Sequence, residues 1–260
     1  MTPMLSSSAR IRASFDRAAE TYDDAATVQR RVCRRLLDAF SERIDNPADI
    51  LDAGCGTGYG ARLLRARWPR ARIVGADFAP SMLTRARPAT DACFMADIEN
   101  LPLPDDVFDL WWSSLTIQWC DNAKVFAEAA RTLKPGGRLI LSTLGPGTFR
   151  ELREAFSGVD EYRHTFPFGD AEFVEPTLES AGFQDIVLFR EECRAYYPDL
   201  KSLLRSIKEI GAQTVGSGAR GGMMGRAAWQ KLTASYETHR GAEGLPATYD
   251  VVFCSARLPS

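Results

Sequence analysis

Three acidic residues, each closing a short apolar run, are the positions in this chain whose type and spacing could do chemistry. Asp52 follows Ile50 and Leu51, Asp77 follows Ile73-Val74-Gly75-Ala76, and Asp97 follows Cys93-Phe94-Met95-Ala96. Directly after Asp52 comes Ala53-Gly54-Cys55-Gly56-Thr57-Gly58. Glycine at alternate positions lets the backbone take positive φ and leaves no Cβ between the loop and a flat ligand lying across it. The run Gly56 to Ala61 also satisfies the G-x-G-x-x-G/A pattern of dinucleotide folds, so the pattern alone separates no ligands. Asp52 does separate them, because a carboxylate there repels a pyrophosphate and welcomes a cation.

The ammonium and sulfonium groups of S-adenosylmethionine fit that requirement. Asp77 lies 19 positions beyond Gly58 and suits a carboxylate gripping both ribose hydroxyls. Asp97 can take the adenine amino group or, alternatively, cap its own loop. A purely structural glycine turn is the other reading of this stretch.

The elements that must carry these acids follow from apolar periodicity. Strands are expected at Ile50–Ala53, 72–77, 92–97, 107–114 and 138–143, with a helix at 123–133 and a turn at Lys134-Pro135-Gly136-Gly137. Regular alternation of strand and helix implies an α/β fold: a doubly wound, mostly parallel seven-stranded sheet covered on both faces. Two N-terminal helices are expected between Ile11 and Arg43, the second carrying Arg30, Arg31, Arg34 and Arg35. Further on, a helix at 173–181, a strand at 183–190 and a last strand at 248–258 frame a helical insert. The resulting organisation is one domain over 1–260, with N-terminal cap helices at 10–45, a cofactor-binding core at 46–144 and a substrate or lid insert at 191–247.

Composition narrows the function classes. The 260 residues are 45% hydrophobic with a formal net charge of −2, which gives no global attraction to nucleic acid or membrane. The six cysteines form no C-x-x-C pair, which argues against a zinc site or a disulfide scaffold, and no metal is expected. Free thiols in a reducing cytoplasm and a monomeric chain are the expectation. Residues 1–15 lack an acid, as an organelle transit peptide would, although acids follow at once.

The insert is the one basic stretch. Between Lys201 and Lys231 lie Lys201, Arg205, Lys208, Arg220, Arg226 and Lys231 against one acid, Glu209. Leu200, Leu203, Leu204 and Ile207 form an apolar stripe at i, i+3, i+4 and i+7, with Lys201, Arg205 and Lys208 on the opposite face. This is either a basic lid or an ordinary solvated face. Gly216 to Gly225 reads as a hinge or closing loop, or else as plain disorder.

At Leu51 to Gly58, Gly75-Ala76-Asp77, Ala96-Asp97 and Leu133 to Gly137 the chain resembles class I S-adenosylmethionine-dependent methyltransferases. Further stretches resemble one branch, the malonyl-acyl-carrier-protein O-methyltransferases of biotin biosynthesis: Phe15 to Asp23 with Gln29, Ser113 to Trp119, Ser142 to Thr148, Arg205 to Ala212, and Leu245 to Tyr249. The resemblance implies methyl transfer from S-adenosylmethionine to the free carboxylate of a malonyl group on an acidic carrier protein. It implies cofactor contacts at Gln29, Asp52, Gly54, Cys55, Gly56, Gly58, Asp77, Phe78, Met82, Asp97, Ile98, Ser113 and Ser114. Tyr22, Gln118 and Trp119 would position the reactants, with no general acid or base. Lys201, Arg205, Lys208 and Arg220 are the candidates for meeting the carrier. Small-acid, quinone-precursor and respiratory-complex methyltransferases share parts of these motifs, and a cofactor-binding scaffold without transferase activity is a further class.

Overall fold

The computed structural model describes residues 7–160, 162, 164–169, 171–211 and 224–260. Arg220 and residues 216–223 of the glycine-rich stretch lie outside the described residues. The described residues open with three helices, α1 (Ser7–Ala18), α2 (Tyr22–Ala25) and α3 (Thr27–Phe40). Two were expected. The split comes at Thr21, whose backbone N–H closes back on the carbonyl of Ala18.

From β1 onward, strands and helices alternate: β1 (Asp49–Ala53), α4 (Tyr59–Arg67), β2 (Arg72–Asp77), α5 (Pro80–Ala86), β3 (Ala92–Met95), β4 (Phe108–Ser114), α6 (Asn122–Thr132) and β5 (Leu133–Leu144). Then follow α7 (Arg150–Ser157), α8 (Val174–Ser180), β6 (Gln184–Tyr197), α9 (Leu200–Glu209), α10 (Arg226–Glu237) and β7 (Leu245–Arg257). The seven strands form one sheet in the order β3-β2-β1-β4-β5-β7-β6. All pairings from β3 through β5 are parallel, and β7 runs antiparallel between β5 and β6.

Side chains alternate across the pleat, so each central strand feeds two cores. Ile50, Ile73, Leu110, Trp112 and Ile140 pack on one face with α3, α4, α7, α9 and α10. Leu51, Val74, Trp111, Leu139 and Leu141 pack on the other with α6 and α8. The parallel arrangement brings the carboxyl ends of β1, β2 and β4 to one edge, with the reversal of strand order between β1 and β4, where open α/β sheets bind ligands.

Three sequence expectations change. Lys134-Pro135-Gly136-Gly137 is a bulge inside β5: Phe108 pairs with Leu133 and Leu110 with Arg138. It is held because Lys134 Nζ reaches Asp49 and Asp109 at 3.1 and 2.9 Å. The insert is shorter than 191–247, because β6 runs on to Tyr197 and β7 begins at Leu245, the two paired up to Tyr197 opposite Leu245. The strand expected to end at Arg190 continues because alternate residues of an edge strand face solvent, which admits Glu192 and Arg194. Among the described residues no helix is long and apolar enough to cross a membrane.

Candidate active site

The glycine loop is shaped by what surrounds it. Gly54, Gly56 and Gly58 have φ of +76°, +51° and +81°. A Cβ at Gly54 would strike the side chain of Thr116, and one at Gly58 would come within 2.9 Å of the Ala86 backbone. At Gly56 a Cβ would meet nothing, since it would project into open space. That space is a cleft of about 760 Å³ lined by Gly54, Gly56, Asp77, Phe78, Met82, Asp97, Ile98, Ser114, Tyr22 and Trp119, among others. It continues past Tyr22, Gly54, Gly56 and Ser114 into a second compartment of about 470 Å³ bounded by Gln29, Arg30, Asp52, Cys55 and Tyr59.

Two buried carboxylates face this cleft. Asp77, 7% exposed, accepts the backbone N–H of Gly56 on one oxygen and of Ala79 on the other, each at 2.9 Å. Burial pushes its carboxyl up to about 6 against those hydrogen bonds. Asp52 is 2% exposed, and burial followed by the charge of Asp77 pushes it up to about 7. Its Oδ2 has no hydrogen-bond partner among the described residues. A buried carboxylate oxygen without a donor costs free energy unless a cation or donor meets it. It is therefore a place prepared for a positive group.

The N-terminal helices roof the cleft. Phe15 packs on Phe78 at 6.1 Å and edge-on to Trp119 at 5.9 Å between ring centroids. Thr57 donates its hydroxyl to Asp23 Oδ1 at 2.6 Å, and Ser81 its N–H to Asp16 Oδ1 at 3.1 Å, so the roof is tied to the glycine loop and to α5. Tyr22 lines both compartments, and burial, with the nearby Asp77, pushes its phenol above the ordinary tyrosine range. It stays a neutral donor.

Most of the expected cofactor and positioning residues converge here, and three of them do not line the cleft: the cofactor candidates Ser113 and Gly58 and the positioning candidate Gln118. Ser113 is fully buried and donates to the Ala53 carbonyl at 2.7 Å, which joins β4 to β1. Gly58 sits against Ala86 beneath the loop. Gln118 donates to the Leu115 carbonyl at 2.6 Å and accepts from Thr143 at 3.4 Å. Its task is to hold Leu115, a non-glycine residue at φ +54° on the wall of the cleft. Asp97 lines the cleft while accepting the Glu99 N–H at 3.0 Å, so it caps its loop and faces the ligand space together. Leu115, Thr116, Glu99 and Arg30 also line the site without having been expected there. The first two stand at the end of β4, where no glycine marks the turn.

Neither histidine lines the cleft: His164 stacks on Phe156 and bonds to Asp160 at 2.6 Å, and His239 lies 3.7 Å from Glu154. Cys55 and Cys120 do line it, and burial drives Cys120 up to about 12 and Cys55 well above its ordinary value. The site holds no thiolate and no imidazole base.

Comparison with known proteins places this geometry. A family described as "Methyltransferase domain" matches residues 51–141. The malonyl-acyl-carrier protein O-methyltransferase of Dechloromonas aromatica (strain RCB) is 48% identical over 252 residues, covering 96% of this chain and 95% of that protein. The chain belongs to the malonyl-acyl-carrier protein O-methyltransferase family. The chain is also 39% identical over 267 residues to the biotin biosynthesis bifunctional protein BioHC of Teredinibacter turnerae (strain ATCC 39867 / T7901), covering 96% of this chain and 47% of that one. The fold is shared with phosphoethanolamine N-methyltransferase 2 of Haemonchus contortus in complex with S-adenosyl-L-methionine. There the TM-score is 0.59 at 19% identity, with 94% of this chain and 57% of that chain covered.

Proposed function

We infer that this malonyl-acyl-carrier protein O-methyltransferase family member transfers a methyl group from S-adenosylmethionine to the free carboxylate of malonyl-acyl carrier protein, the ester then serving biotin biosynthesis. The observation that carries the cofactor half of this reading is the partnerless, buried Oδ2 of Asp52 in the inner compartment. A cationic amino acid end fits it, and the open cradle over Gly56 fits the flat body of the cofactor. When bound, the cofactor supplies a methyl group activated by a sulfonium.

In this reading Asp52 and Gln29 hold the methionine end, Gly54, Cys55 and Gly56 lie under the cofactor, and Asp77 grips the ribose. Phe78, Met82 and Ile98 enclose the base, Asp97 meets its edge, and Ser114 stands between the two halves. Tyr22 and Trp119 close the roof and keep water out. A malonate carboxyl with the ordinary value of about 4 is already an anion at neutral pH, so no side chain has to remove a proton from it. The protein's task is alignment in a dry site, and the lack of an imidazole in the cleft agrees with it.

The exposed Lys201, Arg205 and Lys208 on α9 give an acidic carrier protein a surface to meet. Among the described residues none of the three has an acidic side chain in ion-pair contact. The decisive experiment is incubation with malonyl carrier protein and labelled S-adenosylmethionine, read by intact mass of the carrier. A gain of one methyl supports the reading. Bound S-adenosylhomocysteine with no transfer to any malonyl thioester would replace it with the scaffold reading.

A further inference from the structure

The cleft does not end at Gln29. That side chain also lines a groove of about 1000 Å³ between the start of α3, the last residues of β6 and one flank of α9. Gln29 therefore stands on both the groove and the compartment that holds Asp52. Its walls are mixed: Ile210 and Ala195 are apolar, Ser206 supplies a hydroxyl, and Tyr196 stands 38% exposed. Arg31 lines it too and donates to the Arg194 carbonyl at 2.9 Å. Arg31 is exposed and has no acidic partner within ion-pair distance among the described residues, whereas Arg35 pairs with Glu191 and Arg194 with Glu192.

We propose that this groove takes the phosphopantetheine arm that presents the malonyl thioester, with Arg31 facing its phosphodiester. The proposal rests on the malonyl-carrier reading above. The arm is a long uncharged chain of amides and aliphatic carbons with one anionic phosphate at its outer end. It requires apolar walls with scattered hydrogen-bonding groups, a cation at the outer end and an inner end opening on the reacting atoms. The groove offers each of these: Arg31 as the cation, Ile210 and Ala195 as apolar wall, Tyr196 and Ser206 as hydrogen-bonding groups, and Gln29 as the side chain shared with the inner compartment.

The groove and the basic stripe are separate surfaces. At 3.6 residues per turn, Ser206 and Ile210 stand on one flank of α9 and Lys201, Arg205 and Lys208 on the other, with Leu203 and Ile207 buried between them. Damage to the stripe therefore touches only protein-linked substrates, and damage to the groove touches every pantetheine-linked one.

The test compares wild type, Ala195→Trp and Arg31→Ala on malonyl-phosphopantetheine and on malonyl-pantetheine, which lacks the phosphate. Calorimetry with S-adenosylhomocysteine and with unacylated phosphopantetheine runs alongside. Ala195→Trp, which fills the groove, is expected to cut kcat/KM about tenfold on both thioesters and leave S-adenosylhomocysteine affinity unchanged. Arg31→Ala, at an exposed position whose one bond to the fold is that to the Arg194 carbonyl, is expected to cost about fivefold on the phosphorylated substrate alone, with the melting temperature reading any loosening of β6. Wild-type kcat/KM in both variants overturns the proposal, as does an equal loss of S-adenosylhomocysteine affinity in Ala195→Trp. A wild-type protein that binds phosphopantetheine in an Arg31-dependent way yet methylates no malonyl thioester supports the groove and overturns the substrate reading. One that transfers methyl normally but is indifferent to both variants overturns the groove and leaves the substrate reading standing.

Discussion

The Asp77 carboxylate raises the proton affinity of Asp52 across the seam between β1 and β2, where Asp52 pairs with Gly75 and Ala53 with Ala76. Both acids sit in one cleft, and Asp52 is held near 7 against an ordinary carboxyl of about 3.9. The folded state therefore keeps a proton that the unfolded chain has released. This group's contribution to stability is present below pH of about 4 and is lost as pH rises towards 7. A cation placed against Asp52 reverses that trend, because it favours the ionised form. Affinity for S-adenosylhomocysteine should rise about tenfold between pH 6 and 8 as Asp52 ionises, and Asp52→Asn should flatten the curve. Calorimetry at three pH values checks it, and a flat wild-type curve counts against a cation at Asp52.

Asp77→Ala should weaken cofactor binding by about 2 to 4 kcal/mol through loss of charge-assisted hydrogen bonds to the ribose. Because the same oxygens accept the N–H groups of Gly56 and Ala79, part of the loss will come from a loosened glycine loop. Asp77→Asn keeps one acceptor oxygen and should fall between the two. Equal dissociation constants for all three proteins would place the ribose elsewhere.

The roof is pinned by one bond whose loss is readable. Thr57→Val removes the hydroxyl that Asp23 accepts at 2.6 Å while keeping the shape of the side chain. Substitution should cost about 1 kcal/mol of stability and raise KM for the cofactor severalfold, the second effect being the larger. Thermal melts and steady-state kinetics decide. A drop in melting temperature with unchanged KM would mean that α2 is only a structural strap.

Reversing Arg205 and Lys208 to Glu should cut kcat/KM with malonyl carrier protein by about tenfold, chiefly through slower encounter, and added salt should shrink the gap. Both side chains are exposed, so stability should hardly move. Malonyl-coenzyme A, which has no protein part, should be nearly indifferent. Equal loss on both substrates would put these residues against the arm rather than the carrier.

How much was legible depended on which physical rule governed each residue. Asp52 and Asp77 could be read because apolar strands, glycines and a terminal acid coincide at the point where a parallel sheet opens. Ser113 and Ser114 could not be told apart, since both are small and polar at a strand end. Only packing shows that Ser113 is spent on the Ala53 carbonyl while Ser114 faces the cleft. Leu115 and Thr116 were missed because a left-handed residue without glycine leaves no mark in the sequence. The pairing of Thr57 with Asp23, 34 positions apart, depends on the chain having already folded. Likewise the insert was drawn too wide because a charged edge strand and a solvated helix look alike in composition.

That edge strand has a consequence for how molecules of this protein meet one another. A free strand of 14 residues at the margin of a sheet is a template on which a second chain could add its own strand. Here the margin is crowded with charge: Arg190 holds Asp250, Glu191 holds Arg35, and Glu192 is shared by Arg150 and Arg194. Near its start the register is broken at Asp185, a non-glycine residue at φ +50°. An approaching strand would have to displace these pairs and cross a kink before its first hydrogen bond formed. Self-association through this edge is thereby opposed from the outset, and the guard is built from charged partners in β7, α3 and α7 that also fasten the strand to its own molecule.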